Sequence, residues 1–207
     1  MVEVDLDQSD DWNSTQDWQT LAERAVAAAL VVAGFAPVSQ VSLSVSLSDN
    51  DEVQALNAQW RGKDKPTNVL SFPMLEAEEL VALDNPPRNG EGDQPQAGGG
   101  AGAGNSHPQG QETRPVPLRH SSSGPPPPLG EDRETLLGDI ILAHGICADE
   151  ATEKAISLAD HATHLIIHGT LHLLGLDHID DEAAEHMEAL EVKALASLGL
   201  GNPYSDH

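Results

Sequence analysis

Residues 76–134 hold 10 of the chain's 18 glycines and 10 of its 14 prolines. The block includes Gly98-Gly99-Gly100, Ser121-Ser122-Ser123 and Pro125 to Pro128. Such a composition buries too little apolar surface to offset the entropy lost on ordering the backbone. It predicts a disordered insertion centred on 85–132, with Glu76 to Leu83 leading into it as a short helix or strand. About 148 of the 207 residues remain to build the fold, which is enough for one domain. We place that domain over 1–75 and 136–207, interrupted by the insertion 76–135.

The domain must be built from aliphatic side chains, because only 3% of residues are aromatic while 39% are hydrophobic. The first 20 residues start as loose chain or a short strand. Trp18, Leu21, Ala25, Ala28 and Val32 recur at helical spacing, behind a cap at Ser14 or Thr15 and before a stop at Gly34. Val41 to Ser48 alternates apolar residue and serine without exception, which predicts a strand with one buried face. Asp49 and Glu52 then open a second helix with capping-box spacing. Asn68 to Phe72 and Leu136 to Leu142 read as further strands. A long helix is expected from about Thr152 to Leu174 and a last one from about Asp180 to Leu198. The fold class is α+β with α/β-like order: one domain, with a small mixed sheet of three or four strands packed against helices.

Charge and cysteine usage narrow the function. Thirty-four acidic residues against 10 basic ones give a formal charge of −24, which argues against a general DNA-coating protein but leaves room for nucleic acid as a substrate at one local site. No apolar run reaches the ~18 residues needed to span a membrane, and no secretory leader is legible at the start. A single cysteine, Cys147, excludes an internal disulfide framework, points to a reducing compartment, and reads as a small core residue.

The chemistry is concentrated in the histidines. His161, His164, His168 and His172 are spaced at 3, 4 and 4 residues, so all four lie on one face of the long helix. His168 and His172 can direct their rings at one ion. Gly175 can adopt a positive φ and turn the chain back, bringing His178 to a third position. Three protein ligands leave a position for water, the pattern of a catalytic zinc. Asp177 is placed to orient one of the ligands. His161 and His164 are expected outside the ligand set, behind it or at the surface, and His107 and His120, within the insertion, are expected to be inert. Metzincin peptidases share this spacing, but their general-base glutamate follows the first histidine, where this chain has Gly169.

A second cluster, Arg61-Gly62-Lys63-Asp64-Lys65, packs three of the ten basic residues into five positions. Arg61 suits two-point binding of a phosphate and stabilisation of charge developing on it. Lys63 and Lys65 suit neighbouring phosphates, although cations also favour a helix C-terminus for its dipole alone.

Taken together, His168-Gly-Thr-Leu-His172-Leu-Leu-Gly175-Leu-Asp177-His178 and Arg61-Gly-Lys-Asp-Lys-Pro-Thr-Asn-Val-Leu-Ser-Phe-Pro73 closely resemble the YbeY family of bacterial rRNA maturation factors. Leu137-Gly138-Asp139-Ile140 is similar to a third block of that family. The resemblance implies a zinc-dependent, single-strand-specific endoribonuclease of the bacterial cytoplasm. Its implied roles are 16S rRNA 3′-end maturation and ribosome quality control, with rRNA and the ribosome or its proteins as partners, and neither DNA nor membrane. It implies one Zn²⁺ per chain on His168, His172 and His178, with Arg61 catalytic. The nucleophile stays open between zinc-held hydroxide and the RNA's own 2′-OH. Leu176 stands where the family usually has Tyr, so no role of that ring is carried over. Two other readings are a metallopeptidase with a metzincin-like site and a non-catalytic, zinc-stabilised ribosome-associated factor.

Overall fold

The alternation in Val41 to Ser48 becomes the central scaffold of the molecule. In the computed structural model, described over residues 2–12, 15–36, 40–84 and 135–205, this segment is strand β2 (Val41–Ser48). Val41, Leu43, Val45 and Leu47 are at most 1% exposed. The intervening serines 42, 44 and 46 are half-buried on the opposite face. β1 (Val2–Gln8) runs parallel along one edge of β2, and β4 (Thr135–Ala143) runs parallel along the other. β3 (Val69–Pro73) closes the sheet antiparallel to β4, giving the order β1-β2-β4-β3. The expected mixed sheet thus has four strands, the first of them being the N-terminal segment. β4 begins at Thr135, so the insertion ends one residue earlier than expected.

Gly138 explains the one irregularity. The β2–β4 register shifts between Ser42 and Ser44, and Gly138 sits in that bulge at φ +147°. A Cβ there would lie 2.3 Å from the Phe72 carbonyl oxygen on β3, so only glycine lets β3 pair at this point.

The helices cover both faces. α1 (Trp18–Ala33) starts at Asp17, whose side chain accepts from the Thr20 amide. The cap is therefore Asp17, not Ser14 or Thr15, because a carboxylate there meets an orphan donor of the first turn. α2 (Asn50–Arg61) is capped by Asp49 through the Glu52 amide. The Glu52 carboxylate does not complete the box; it accepts from the Ser48 hydroxyl instead. α2 covers a small apolar patch of Val53, Leu70 and Ala143, with Leu56 and Phe72 against it. The main core lies between the sheet and α1, α5 (Leu158–Leu173) and α6 (Asp181–Ser197).

One lead-in is settled and one helix differs from expectation. The segment leading into the insertion takes the helical alternative: α3 (Ala77–Asp84) places Leu80 in the main core at 6% exposure. The long helix expected from Thr152 is broken. α4 (His144–Glu153) ends first, Ala155 turns through a positive φ of 52°, and Ser157 caps α5 by accepting from the Asp160 amide. The Ser157-to-Asp160 cap outweighs the uninterrupted helical pattern, and nothing between Glu153 and Ser157 is a glycine or proline that would have announced the break. The insertion over 85–134, with His107 and His120, lies outside the described residues. Among the described residues no helix is long and apolar enough to cross a membrane.

Candidate metal centre

α5 delivers His168 and His172 from consecutive turns of one face. The helix then ends at Leu174, and Gly175 reverses the chain at φ +82°. Asp177 completes the return by accepting from the His178 amide at 2.7 Å. One ring nitrogen from each of His168, His172 and His178 lies within 4.8 Å of the other two. Nε2 of His168 and Nε2 of His172 are 3.1 Å apart. Ligands around a tetrahedral zinc, each ~2.0–2.1 Å from the ion, are about 3.3 Å apart, so this pair has the spacing of two vertices.

Hydrogen bonding decides which nitrogens face the centre. Nδ1 of His172 lies 2.9 Å from the Leu176 carbonyl oxygen, and Nδ1 of His168 lies 2.8 Å from a Glu191 carboxylate oxygen. Both partners can only accept, so each Nδ1 carries the hydrogen and each Nε2 presents a lone pair. Two lone pairs pointing together at 3.1 Å is the donor chemistry of a site that fits a metal cation. Burial, and then the neighbouring His168, push the His172 imidazole down to about 4, so it is neutral and able to ligate at pH 7. Asp177 does not orient the His172 ring, since its carboxylate is 4.0 Å from Nδ1 and the Leu176 carbonyl holds that ring; it fixes the His178 backbone instead.

These rings open on a cleft of about 560 Å³. Arg61, Thr67, Asn68 and Ser71 line it together with the histidines, and Leu75, Leu80 and Leu176 add apolar lining. Arg61 reaches the cleft because Gly62, left-handed at φ +66°, ends α2 there. Lys63 and Lys65 are exposed and do not line the cleft. Their loop is folded back on α2, where the Asn57 side-chain amide donates to the Lys65 carbonyl at 2.7 Å.

Gly169 faces the sheet. A Cβ on it would lie 2.9 Å from Ile140 Cγ2 and 3.0 Å from Ser71 Oγ. The position where a metzincin carries its glutamate is therefore packed against β3 and β4, with no room for a Cβ unless Ile140 or Ser71 shifts.

His161 and His164 are interior residues, 0% and 8% exposed, not surface ones. His161 Nε2 donates to Glu150 at 2.7 Å, and the same carboxylate accepts from Asn68 Nδ2 at 3.0 Å, fixing a residue of the cleft. His164 Nε2 lies 2.6 Å from Glu191, the carboxylate that also holds His168. Burial alone would push the Glu191 carboxyl up, but hydrogen bonds from His164, His168 and Tyr204 outweigh it and hold the group at about 2. Glu191 was not singled out from the sequence. Its signal was an acid at the i+4 position from Met187, on the apolar stripe of α6.

The family follows from comparison with known proteins. A family model described as endoribonuclease YbeY matches residues 3–199. The chain belongs to the YbeY family. Three relatives that carry the name endoribonuclease YbeY are similar along their whole length. The protein of Rhizorhabdus wittichii is 42% identical over 209 residues, covering 99% of this chain and 98% of its own. That of Sphingopyxis alaskensis is 42% identical, covering 100% and 99%. That of Zymomonas mobilis is 44% identical, covering 100% and 95%. The YbeY membership expected from the two motifs is borne out, and the match extends over the N-terminal 40 residues, which lie outside both motifs.

Proposed function

We propose that the chain is a metal-dependent hydrolase that cleaves single-stranded RNA internally, with one zinc ion on His168, His172 and His178. The observation that carries this is the convergence of three imidazoles in the cleft that Arg61 lines, two with facing Nε2 lone pairs. The relatives' names supply the reaction class. Bound there, a zinc ion would supply positive charge beside the scissile phosphate and acidify a water. Arg61 binds the phosphate and offsets the charge that builds on it during cleavage. Asn68, Thr67 and Ser71 offer hydroxyl and amide groups to the sugar–phosphate backbone. The aliphatic lining of Leu75, Leu80 and Leu176 shields the reacting group from water without selecting a base.

The substrate we assign is rRNA, with maturation of the 16S 3′ end and ribosome quality control in the bacterial cytoplasm as the setting. The −24 charge supports delivery by the ribosome or its proteins, since the protein as a whole repels RNA. Gly169, packed against the sheet, speaks against the peptidase alternative. Arg61→Ala and His172→Ala assayed on single-stranded RNA test the reading. Each should lower cleavage on the order of 100-fold or more. Full cleavage by either purified variant overturns the assignment.

A further inference from the structure

The His168 ring is held by more than its own helix. Its Nδ1 donates to Oε1 of Glu191 at 2.8 Å, across the interface between α5 and α6. Glu191 is 1% exposed. Its other oxygen, Oε2, is bracketed by His164 Nε2 at 2.6 Å and by the Tyr204 hydroxyl, which donates to it. Tyr204 comes from the segment after α6 and stands edge-on to the His164 ring, with centroids 5.8 Å apart.

The arrangement has a physical logic. A buried, ionised carboxylate without partners is costly by several kcal/mol. Here two donors on Oε2 keep it charged and fixed, and leave Oε1 to His168 alone. A charged acceptor can only take a hydrogen from Nδ1, which forces the lone pair onto Nε2 and toward the triad. It also makes the ring a better electron donor. His172 has only a neutral carbonyl in the equivalent place, so the two helical ligands are not equivalent.

We propose that Glu191, braced by His164 and Tyr204, is a positioning residue that fixes the tautomer and orientation of His168 for metal binding. The proposal rests on the metal reading given above and adds residues from α6 and the segment beyond it to that centre.

Zinc affinity of the full chain, measured by competition with a chromophoric chelator, and the His168 tautomer, read by ¹⁵N NMR of the metal-free protein, test it together. The wild type should bind zinc and show His168 protonated at Nδ1. Glu191→Gln should lose roughly 10–100-fold in affinity, because one amide oxygen and one amide NH₂ do not satisfy three donors, and should show mixed His168 tautomers. Tyr204→Phe should shift both readouts in the same direction by less. Glu185→Gln, exposed on the same helix, should change neither. Unchanged affinity and tautomer in Glu191→Gln would overturn the proposal while leaving the metal reading standing. A wild type that binds no zinc would overturn both. Should Glu191→Gln fail to fold, Tyr204→Phe decides, and wild-type values for it in both measurements overturn the proposal.

Discussion

Substituting Gly169 by alanine should destabilise the protein, against the usual direction for a glycine inside a helix. In an open helix the change gains about 0.5–1 kcal/mol, since alanine loses less backbone entropy on folding. Here the new methyl meets Ile140 Cγ2 at 2.9 Å, Ser71 Oγ at 3.0 Å and Ile140 Cδ1 at 3.2 Å. Ile140 is fully buried on β4, and its branched carbon cannot swing aside without leaving its rotamer. Overpacking of this kind costs ~1–3 kcal/mol, so the net loss is about 1 kcal/mol, with α5 displaced from the sheet. The diagnostic measurement is a double-mutant cycle by urea denaturation. Ile140→Ala alone should cost ~2–5 kcal/mol through the cavity it leaves. In that background Gly169→Ala no longer meets the side-chain carbons and should become neutral or stabilising, a coupling of ~1–2 kcal/mol. A higher urea midpoint for Gly169→Ala in the wild-type background, or equal effects in both backgrounds, refutes the packing argument. By the same logic Gly169→Glu would drive a carboxylate into an apolar contact and should yield a poorly folded protein with no peptidase activity.

Gly138→Ala should cost about 2–5 kcal/mol, from a left-handed backbone and a clash 2.3 Å from the Phe72 carbonyl. Denaturation midpoints check it, and near-wild-type stability would show that β3 shifts freely. Burial, and then Glu150 nearby, push the Cys147 thiol up to about 12. Iodoacetamide at pH 8 should therefore label the folded protein roughly a thousandfold more slowly than the urea-unfolded chain, and rapid native labelling refutes this. Because that value lies above the ordinary 9.0, the stabilisation is complete below pH 9 and is lost as pH rises toward 12. Affinity for free single-stranded RNA should be weak and fall with added salt, as measured by fluorescence anisotropy. Tight, salt-insensitive binding contradicts the proposed delivery by a partner.

What was legible in the sequence was local and periodic. The serine alternation of β2 and the spacing of His168 and His172 each declare a face, and Gly175 declares the turn that brings His178 to the cleft. What was not legible depended on contacts between distant elements. The break at Ala155 carries no glycine or proline. The apparently idle His161 and His164 acquire their meaning from Glu150 on α4 and Glu191 on α6, 11 and 27 residues away in sequence. At His172 the orienting role expected of Asp177 passed to the Leu176 backbone, because a chain reversing at Gly175 presents a carbonyl to His172 before any side chain can reach it.

That last substitution bears on how the centre tolerates change. It is the carbonyl of Leu176 that holds His172, and a carbonyl is indifferent to the side chain beside it. The same economy governs charge. The acids that make this chain −24 are spread along the sequence, but among the described residues the cleft sets two acids, Glu76 and Asp177, against Arg61 and three imidazoles. Surface charges act over a Debye length of ~8 Å at physiological salt. The global charge therefore governs encounter with RNA in solution, while the cleft's own groups govern what happens to a strand once it is held there. A strongly acidic protein and an RNA-cleaving centre are compatible on one condition: something other than long-range attraction must bring the strand in.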